Sequence, residues 1–313
     1  MSGPATVRRA GTGTSPAGPA GRAGPAGPSA TGRQARRMSR PGGRAGRAVA
    51  FVLATFWLIV VIAPIYYMVL ASFRSQGTYL TANPWLPAGG LTGAQYGTVF
   101  AAGLGRYLLN SVILTAGCIV LTLAFSLGAA FRIVRKSSRA AGASFRILLV
   151  GLAIPIQAII VPLYLLIYKL HLYDTLAALI LAMSAAAVPV SVLIMVSFLR
   201  DIPRELIGAM LVDGGSEWTV FRRLIWPLAR PVLATLSIYD GLNVWNNFIL
   251  PLVLTQSSNV AVLPLGLTKF QGQYAINVPA VMAAVLLSVL PLVALFVVMR
   301  KQVMRSLGAV VMR

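Results

Sequence analysis

Six apolar stretches recur along the chain, at about 48–71, 108–131, 147–168, 176–199, 232–255 and 279–299. Each is close to the ~20 residues an α-helix needs to cross a hydrocarbon core. They are too uniformly apolar for helices that turn one face to water, so the pattern predicts an all-α, polytopic membrane protein with six transmembrane helices. The first stretch ends in Val69-Leu70-Ala71, which resembles a signal-peptide cleavage site. Its apolar run exceeds the roughly 7–15 residues of a signal h-region, so it is read as an uncleaved helix. Pro64, Pro155, Pro162, Pro189, Pro251 and Pro291 fall inside the stretches and predict kinks or breaks, whose freed carbonyls neighbouring helices can satisfy.

Residues 1–47 form a separate zone, rich in Gly, Pro, Ala and Ser, with nine Arg, no acidic residue and no aromatic. Such a segment cannot bury enough apolar surface to offset its ordering entropy, which predicts a disordered tail followed by a membrane domain over 48–313. The basic residues also orient the chain. The tail carries nine, the 132–146 loop five, the 200–231 loop five and the C-terminal segment four, 23 in all. The opposite loops hold four: Arg74, Arg106, Lys169 and Lys269. Cytoplasmic loops carry the Lys/Arg excess, so both termini are expected in the cytoplasm of a cell-membrane protein.

Composition agrees. Of 313 residues 58% are hydrophobic and 11% charged, against about 25% charged in a soluble domain. The formal net charge of +21 would ordinarily point to nucleic acid. Here it is accounted for by topology and attraction to the lipid bilayer, and no nucleic-acid partner is expected. One cysteine, Cys118, and one histidine, His171, exclude a disulfide framework and a multi-His metal site. None of the four lysines completes a P-loop: only Lys136 precedes a Ser, and Arg135 stands where Gly is required. No nucleotide, cofactor or metal is expected on this chain, and no enzymatic activity.

The 200–231 loop differs from the rest, holding four of the six acids: Asp201, Glu205, Asp213 and Glu217. Pro203 suits a first helical turn, and Arg204 to Val212 reads as a helix with an apolar face at Leu206, Ile207 and Met210. Asp213-Gly214-Gly215 reads as a turn using glycine's access to positive φ. Ser216 is an N-cap, with Glu217 in the positive first turn of a second helix. This helix–turn–helix is either a membrane-surface hairpin or a docking element for a soluble partner.

At these residues the chain resembles the permeases of bacterial ATP-binding-cassette (ABC) importers, whose coupling loop carries a Glu-Ala-Ala…Gly…Ile-x-x-Pro pattern. The matching residues are Ile202-Pro203, Glu205-Leu206, Asp213-Gly214, Phe221 and Leu224-Ile225-Trp226-Pro227-Leu228. Asn110-Ser111, IPIQAIIVPLYLLIYKLHLYDT, the run from Trp245 to Leu252 and the ending LGAVVMR are similar to the shorter, maltose-type permease of the carbohydrate branch. The resemblance covers roughly 50–313. It implies a permease-like bundle with a cytoplasmic coupling helix, ATPase partner subunits that bind the ATP, a second, different permease chain, and an extracytoplasmic solute-binding protein. The ATPase-docking residues it implies are Glu205, Gly208, Ala209, Asp213 and Gly214. The chain departs from the pattern at two places: Gly208-Ala209-Met210 stands where the family has Glu-Ala-Ala, with Glu205 three residues earlier near the same helix face, and the chain ends Val311-Met312-Arg313 where the family has a small-residue, lysine-containing sequence.

A mid-bilayer acid costs roughly 2.5–3.5 kcal/mol on insertion scales, so Asp240 is expected to face the bundle interior. Asn243 and Asn247 are i,i+4, and Asp240 precedes Asn243 by three, which makes a polar stripe. With Trp245 beside it and Gln157 on the third span, this stripe is the candidate translocation pathway. Amides and a carboxylate beside an aromatic suit sugar hydroxyls, and interhelical hydrogen bonding accounts for them equally well. Asp240 also leaves open an ion-coupled secondary transporter. His171 and Asp174 are read as solvated residues of an outside loop.

Overall fold

The structure, a computed structural model, describes residues 44–87, 89–135, 138–268, 270 and 276–311, with side chains placed from 46 to 297. The tail expected over 1–47 therefore lies outside the described residues up to 43. The chain divides into two units, Met1–Ile59 and Val60–Arg313. In the first, the described residues are the leading turns of helix α1 (Arg44–Ser72).

The second unit contains α2 (Gln76–Thr81), α3 (Ala94–Ala101), α4 (Leu104–Arg135), α5 (Arg139–Ala153), α6 (Ile156–Lys169) and α7 (Leu176–Arg200). It continues through α8 (Arg204–Val212), α9 (Glu217–Val220), a π turn (Phe221–Ile225), α10 (Trp226–Trp245), α11 (Ile249–Leu254), α12 (Leu263–Thr268) and α13 (Val278–Val311). The fold is all-α.

Three apolar clusters set the helix directions. Leu114 and Cys118 of α4 pack with Ala178–Met183 of α7, while Leu127 and Phe131 pack with Val192–Leu199. The two helices thus run parallel. On α10 the order is reversed: Ala229–Leu236 joins the cluster at the α4 and α7 C-termini, and Val244 joins the other. The start of α13, Ala280–Ala284, packs with Leu104 and Tyr107 at the start of α4. So α4, α7 and α13 run one way and α10 the other, as alternating spans must.

Two expected spans are corrected. Stretch 147–168 is not one helix: α5 and α6 meet at a 106° bend. Pro155 is the N-cap of α6, and its ring excludes helical continuation from Ile154. Stretch 232–255 is interrupted after Trp245 and resumes at Ile249, while its helix begins earlier, at Trp226. Among the described residues four helices are long and apolar enough to cross a membrane, and the bent pair would make five. Helix α10 stands where the fifth of six spans was expected, but with Arg230, Asp240 and Asn243 it falls short on apolarity. Pro64, Pro162, Pro189 and Pro291 lie within continuous helices.

Candidate functional site

The loop after α7 forms a hairpin. The side chains of Ile207, Met210 and Leu211 pack on the cluster formed by the ends of α4 and α7. This corrects the expected apolar face: Leu206 is exposed, as are Val212 and Trp218, and Trp218 stacks on Phe221 at 5.5 Å between centroids. Helix α8 ends as its glycines dictate. Gly214 takes φ +83°, and the Gly215 N–H donates to the Met210 carbonyl at 2.9 Å. A Cβ on Gly215 would lie 2.5 Å from that oxygen, so the close approach requires glycine. Ser216 then caps α9 by accepting from the Thr219 N–H at 3.2 Å. Glu205, Ala209 and Asp213 are exposed, on the outer side of the hairpin. Gly208 is half-buried and lines a pocket on the inner side with Arg204, Ile207 and Leu211; a Cβ there would meet nothing within 4 Å.

From Glu217 to Trp245 the backbone is helical without interruption, through the π turn. The wide turn has a local cause: the ring of Pro227 would clash with the Arg223 carbonyl in a tight α turn, and extra width relieves it. One continuous helical segment, with the π turn, Pro227 and Pro231 as its bending points, therefore joins the hairpin to the interior residues of α10.

There, Asp240 is 2% exposed and accepts from the Ser191 hydroxyl of α7 at 3.0 Å. Asp240, Asn243 and Asn247 line one cleft of about 190 Å³, together with Tyr239, Ile156, Met183 and Val190. The polar stripe thus faces a shared space. Its amides are partly committed: Asn243 donates to the Tyr239 carbonyl at 2.8 Å, and Asn247 Oδ1 accepts from the Leu250 N–H at 3.1 Å, starting α11. Two expected pathway residues fall elsewhere. Trp245 is buried in the cluster of α3, α12 and α13, on the opposite side of α10. Gln157 is exposed and lines no part of the cleft, although Ile156 beside it does. The aromatic that accompanies the amides is Tyr239, and the Asp240 partner is Ser191.

Residues 120–307 match the family described as the binding-protein-dependent transport system inner membrane component, a stretch containing both hairpin and cleft. The chain belongs to this family. ORF2 of Caldicellulosiruptor sp. (strain Rt8B.4), named for an ABC transporter permease protein, is 34% identical over 83% of this chain and 94% of its own. The diacetylchitobiose uptake system permease protein NgcG of Streptomyces coelicolor is 28% identical, covering 83% of this chain and 87% of that protein. A bacterial ABC transporter chain involved in import of the acidic polysaccharide alginate has the same fold, with a TM-score of 0.73 at 20% identity over 83% of this chain and 98% of that one. The chain is an ABC importer permease, a multi-pass inner-membrane transport subunit. None of these matches supports the ion-coupled alternative drawn from Asp240.

Away from the hairpin, the permease holds two tethers that sequence reading did not assign. Asn110, 7% exposed, donates to the carbonyls of Asn259 at 2.8 Å and Ala261 at 2.9 Å, and the neighbouring Ser111 hydroxyl accepts from the Leu263 N–H at 2.8 Å. The Asn-Ser pair therefore pins the 259–263 segment to the start of α4. Asp174, expected to be solvated, is instead bonded to another loop. It takes φ +60°, and its carboxylate accepts from the N–H groups of Gln256 at 2.9 Å and Ser257 at 3.0 Å, joining the α6–α7 loop to the segment after α11. Burial pushes its pKa up, but these N–H donors outweigh it and hold the carboxyl below its usual range.

Proposed function

We propose that this permease carries a sugar or oligosaccharide by alternating access, driven by separate ATPase subunits that dock on loop 200–231. The observation that carries the reading is the unbroken helix from Glu217 to Trp245. A push on a short isolated hairpin would be absorbed locally. Here the second arm of the hairpin is continuous with the helix bearing Asp240 and Asn243, so displacement of the hairpin moves the wall of the cleft. The outer hairpin surface offers Glu205, Ala209, Asp213 and the turn at Gly214, beside exposed Leu206 and Trp218, as the docking face. Gly208 supplies no contact there.

In the cleft, Tyr239, Asp240, Asn243 and Asn247 provide hydroxyl, carboxylate and amide groups beside apolar walls, a combination suited to polyhydroxylated solutes with apolar ring faces. The uptake of diacetylchitobiose by the system of the relative NgcG supports that solute class. The family description itself calls for a solute-binding protein. A second permease chain completes the pathway, and ATP is bound and hydrolysed on the ATPase subunits. With basic residues concentrated around the hairpin, both termini and loop 200–231 lie on the cytoplasmic side.

The test is uptake into proteoliposomes containing the permease with its ATPase and partner permease, presented with binding protein and labelled oligosaccharides. Uptake should require ATP and persist when the proton gradient is collapsed. Uptake that vanishes with the gradient at constant ATP would overturn the reading.

A further inference from the structure

A pocket of about 480 Å³ lies between the hairpin and the ends of the two parallel helices α4 and α7. Its walls are mostly apolar, among them Phe131, Leu199 and Leu211, and three arginines, Arg135, Arg200 and Arg204, belong to its lining. None of its lining residues is acidic. Of the loop's four acids, Glu205, Asp213 and Glu217 are exposed elsewhere on the hairpin, and Asp201 is exposed between the lining residues Arg200 and Ile202 without lining the pocket itself. The hairpin is therefore two-faced: acidic and apolar outward, basic and apolar inward. Arg200 lies over the Phe145 ring, its guanidinium carbon 5.7 Å from the ring centroid, a cation–π contact. Gly208 adds no side chain to this space, and a Cβ there would meet nothing within 4 Å.

We infer that this pocket binds the headgroup of an anionic phospholipid from the adjacent leaflet, with the first acyl carbons against its apolar walls. Charge complementarity selects an anion, and Arg side chains match phosphate oxygens through paired N–H donors. Position selects a lipid over a soluble phosphate. The pocket sits where membrane-spanning helices end, the depth of headgroups, and most of its lining is apolar, which a small hydrophilic phosphate cannot use. Basic pockets at the cytoplasmic ends of membrane helices are a known form of lipid recognition. A lipid seated there supports the inner face of α8 and fixes the angle at which the hairpin meets its partner.

This inference rests on the cytoplasmic placement of loop 200–231 given above, but its readout uses no ATP. The full chain with its partner subunits is purified from nanodiscs containing phosphatidylglycerol and phosphatidylcholine, and retained lipid is measured by native mass spectrometry. Wild type should retain phosphatidylglycerol over phosphatidylcholine by at least roughly tenfold. The triple variant Arg135→Gln/Arg200→Gln/Arg204→Gln should lose that preference. Gly208→Phe, which fills the pocket with no change of charge, should lose it as well. Arg222→Gln/Arg223→Gln, outside the pocket, should keep it. Equal retention by the triple variant and wild type overturns the proposal. So does full displacement of the lipid signal by millimolar glycerol 3-phosphate, which would mark the pocket as a soluble-phosphate site. Loss of preference in the outside pair alone would place the lipid elsewhere. Failure of lipid retention with ATP-driven uptake intact leaves the coupling reading standing, and the reverse result leaves the lipid site standing.

Discussion

The turn at Gly214-Gly215 is where the coupling reading is most exposed to test. Two substitutions attack it by different physics. Gly214 sits at φ +83° with nothing within 4 Å of a Cβ, so Gly214→Val has space and suffers only backbone strain, about 1–3 kcal/mol for a non-glycine residue held in that region. Gly215 has no positive φ in its way, but a Cβ would stand 2.5 Å from the Met210 carbonyl oxygen, so Gly215→Ala must push the two apart. That separation stretches the Gly215 N–H···O=C bond of 2.9 Å, a loss of roughly 0.5–1.5 kcal/mol before the displaced backbone is counted. Helix α8 has nine residues, below the roughly 12–15 at which an isolated helix becomes self-sustaining, so it depends on its closing turn and on Ile207, Met210 and Leu211. A disturbance near 2 kcal/mol shifts the closed-to-open ratio of such a hairpin by about 30-fold. We expect both variants to reach the membrane at normal levels, since no spanning helix is altered, and to lose most ATPase co-purification and ATP-driven uptake. Gly214→Asn, whose side chain tolerates the left-handed region, should keep the greater part of both. The assay is ATPase recovered per permease, alongside uptake in proteoliposomes. Wild-type values from Gly214→Val and Gly215→Ala together would show that the partner does not read the turn, and the hairpin would cease to be the coupling element.

Asp240→Asn keeps the shape and an acceptor for Ser191, so uptake should remain substantial and insensitive to collapse of the proton gradient, whereas Ser191→Ala removes a buried donor and should destabilise by about 1–3 kcal/mol, read as a lower melting temperature in detergent. Asp174 has a depressed folded-state pKa, so its stabilisation is present above the unfolded value near ~4 and is lost as pH falls through the folded value. Asp174→Asn should therefore melt earlier than wild type at neutral pH and converge with it in strong acid; a constant gap down to the lowest pH would contradict the tether. In a Cys118→Ala background, Leu91→Cys should react with an impermeant thiol reagent added to intact cells and Asp213→Cys should not; the opposite labelling would invert the assigned topology.

What was legible in the sequence followed from periodicity and from local backbone rules, and what was missed depended on contacts distant along the chain. The Gly214 turn and the Ser216 cap are decided within a few residues, so the residue types sufficed. The stripe Asp240, Asn243, Asn247 follows from helical spacing alone, and the structure places all three in one cleft. By the same arithmetic Trp245 was misplaced: two positions beyond Asn243 is about 200° around the helix, which turns it to the far side, against α12 and α13. The break at Pro155 was ambiguous because apolarity continues across it, and Pro64 and Pro189 show that a proline inside an apolar run need not end a helix. What distinguishes Pro155 is that α5 packs on α4 and α7 while α6 packs on α7 and α11, so the two halves serve different neighbours. Asp174 was beyond reach for a similar reason: its partners are 82 and 83 residues away. Its role arises only when the loop after α6 meets the segment after α11. The pattern extends to Gly208. From its spacing it belongs with Glu205 on one face, yet Arg204, Ile207, Gly208 and Leu211 of α8 line the pocket at the ends of α4 and α7 while Glu205 stays outside. Restoring a side chain at 208 would then act first on the inner pocket and only through it on the docking surface. A Gly208→Glu variant that altered ATPase recovery with lipid retention unchanged would contradict that order.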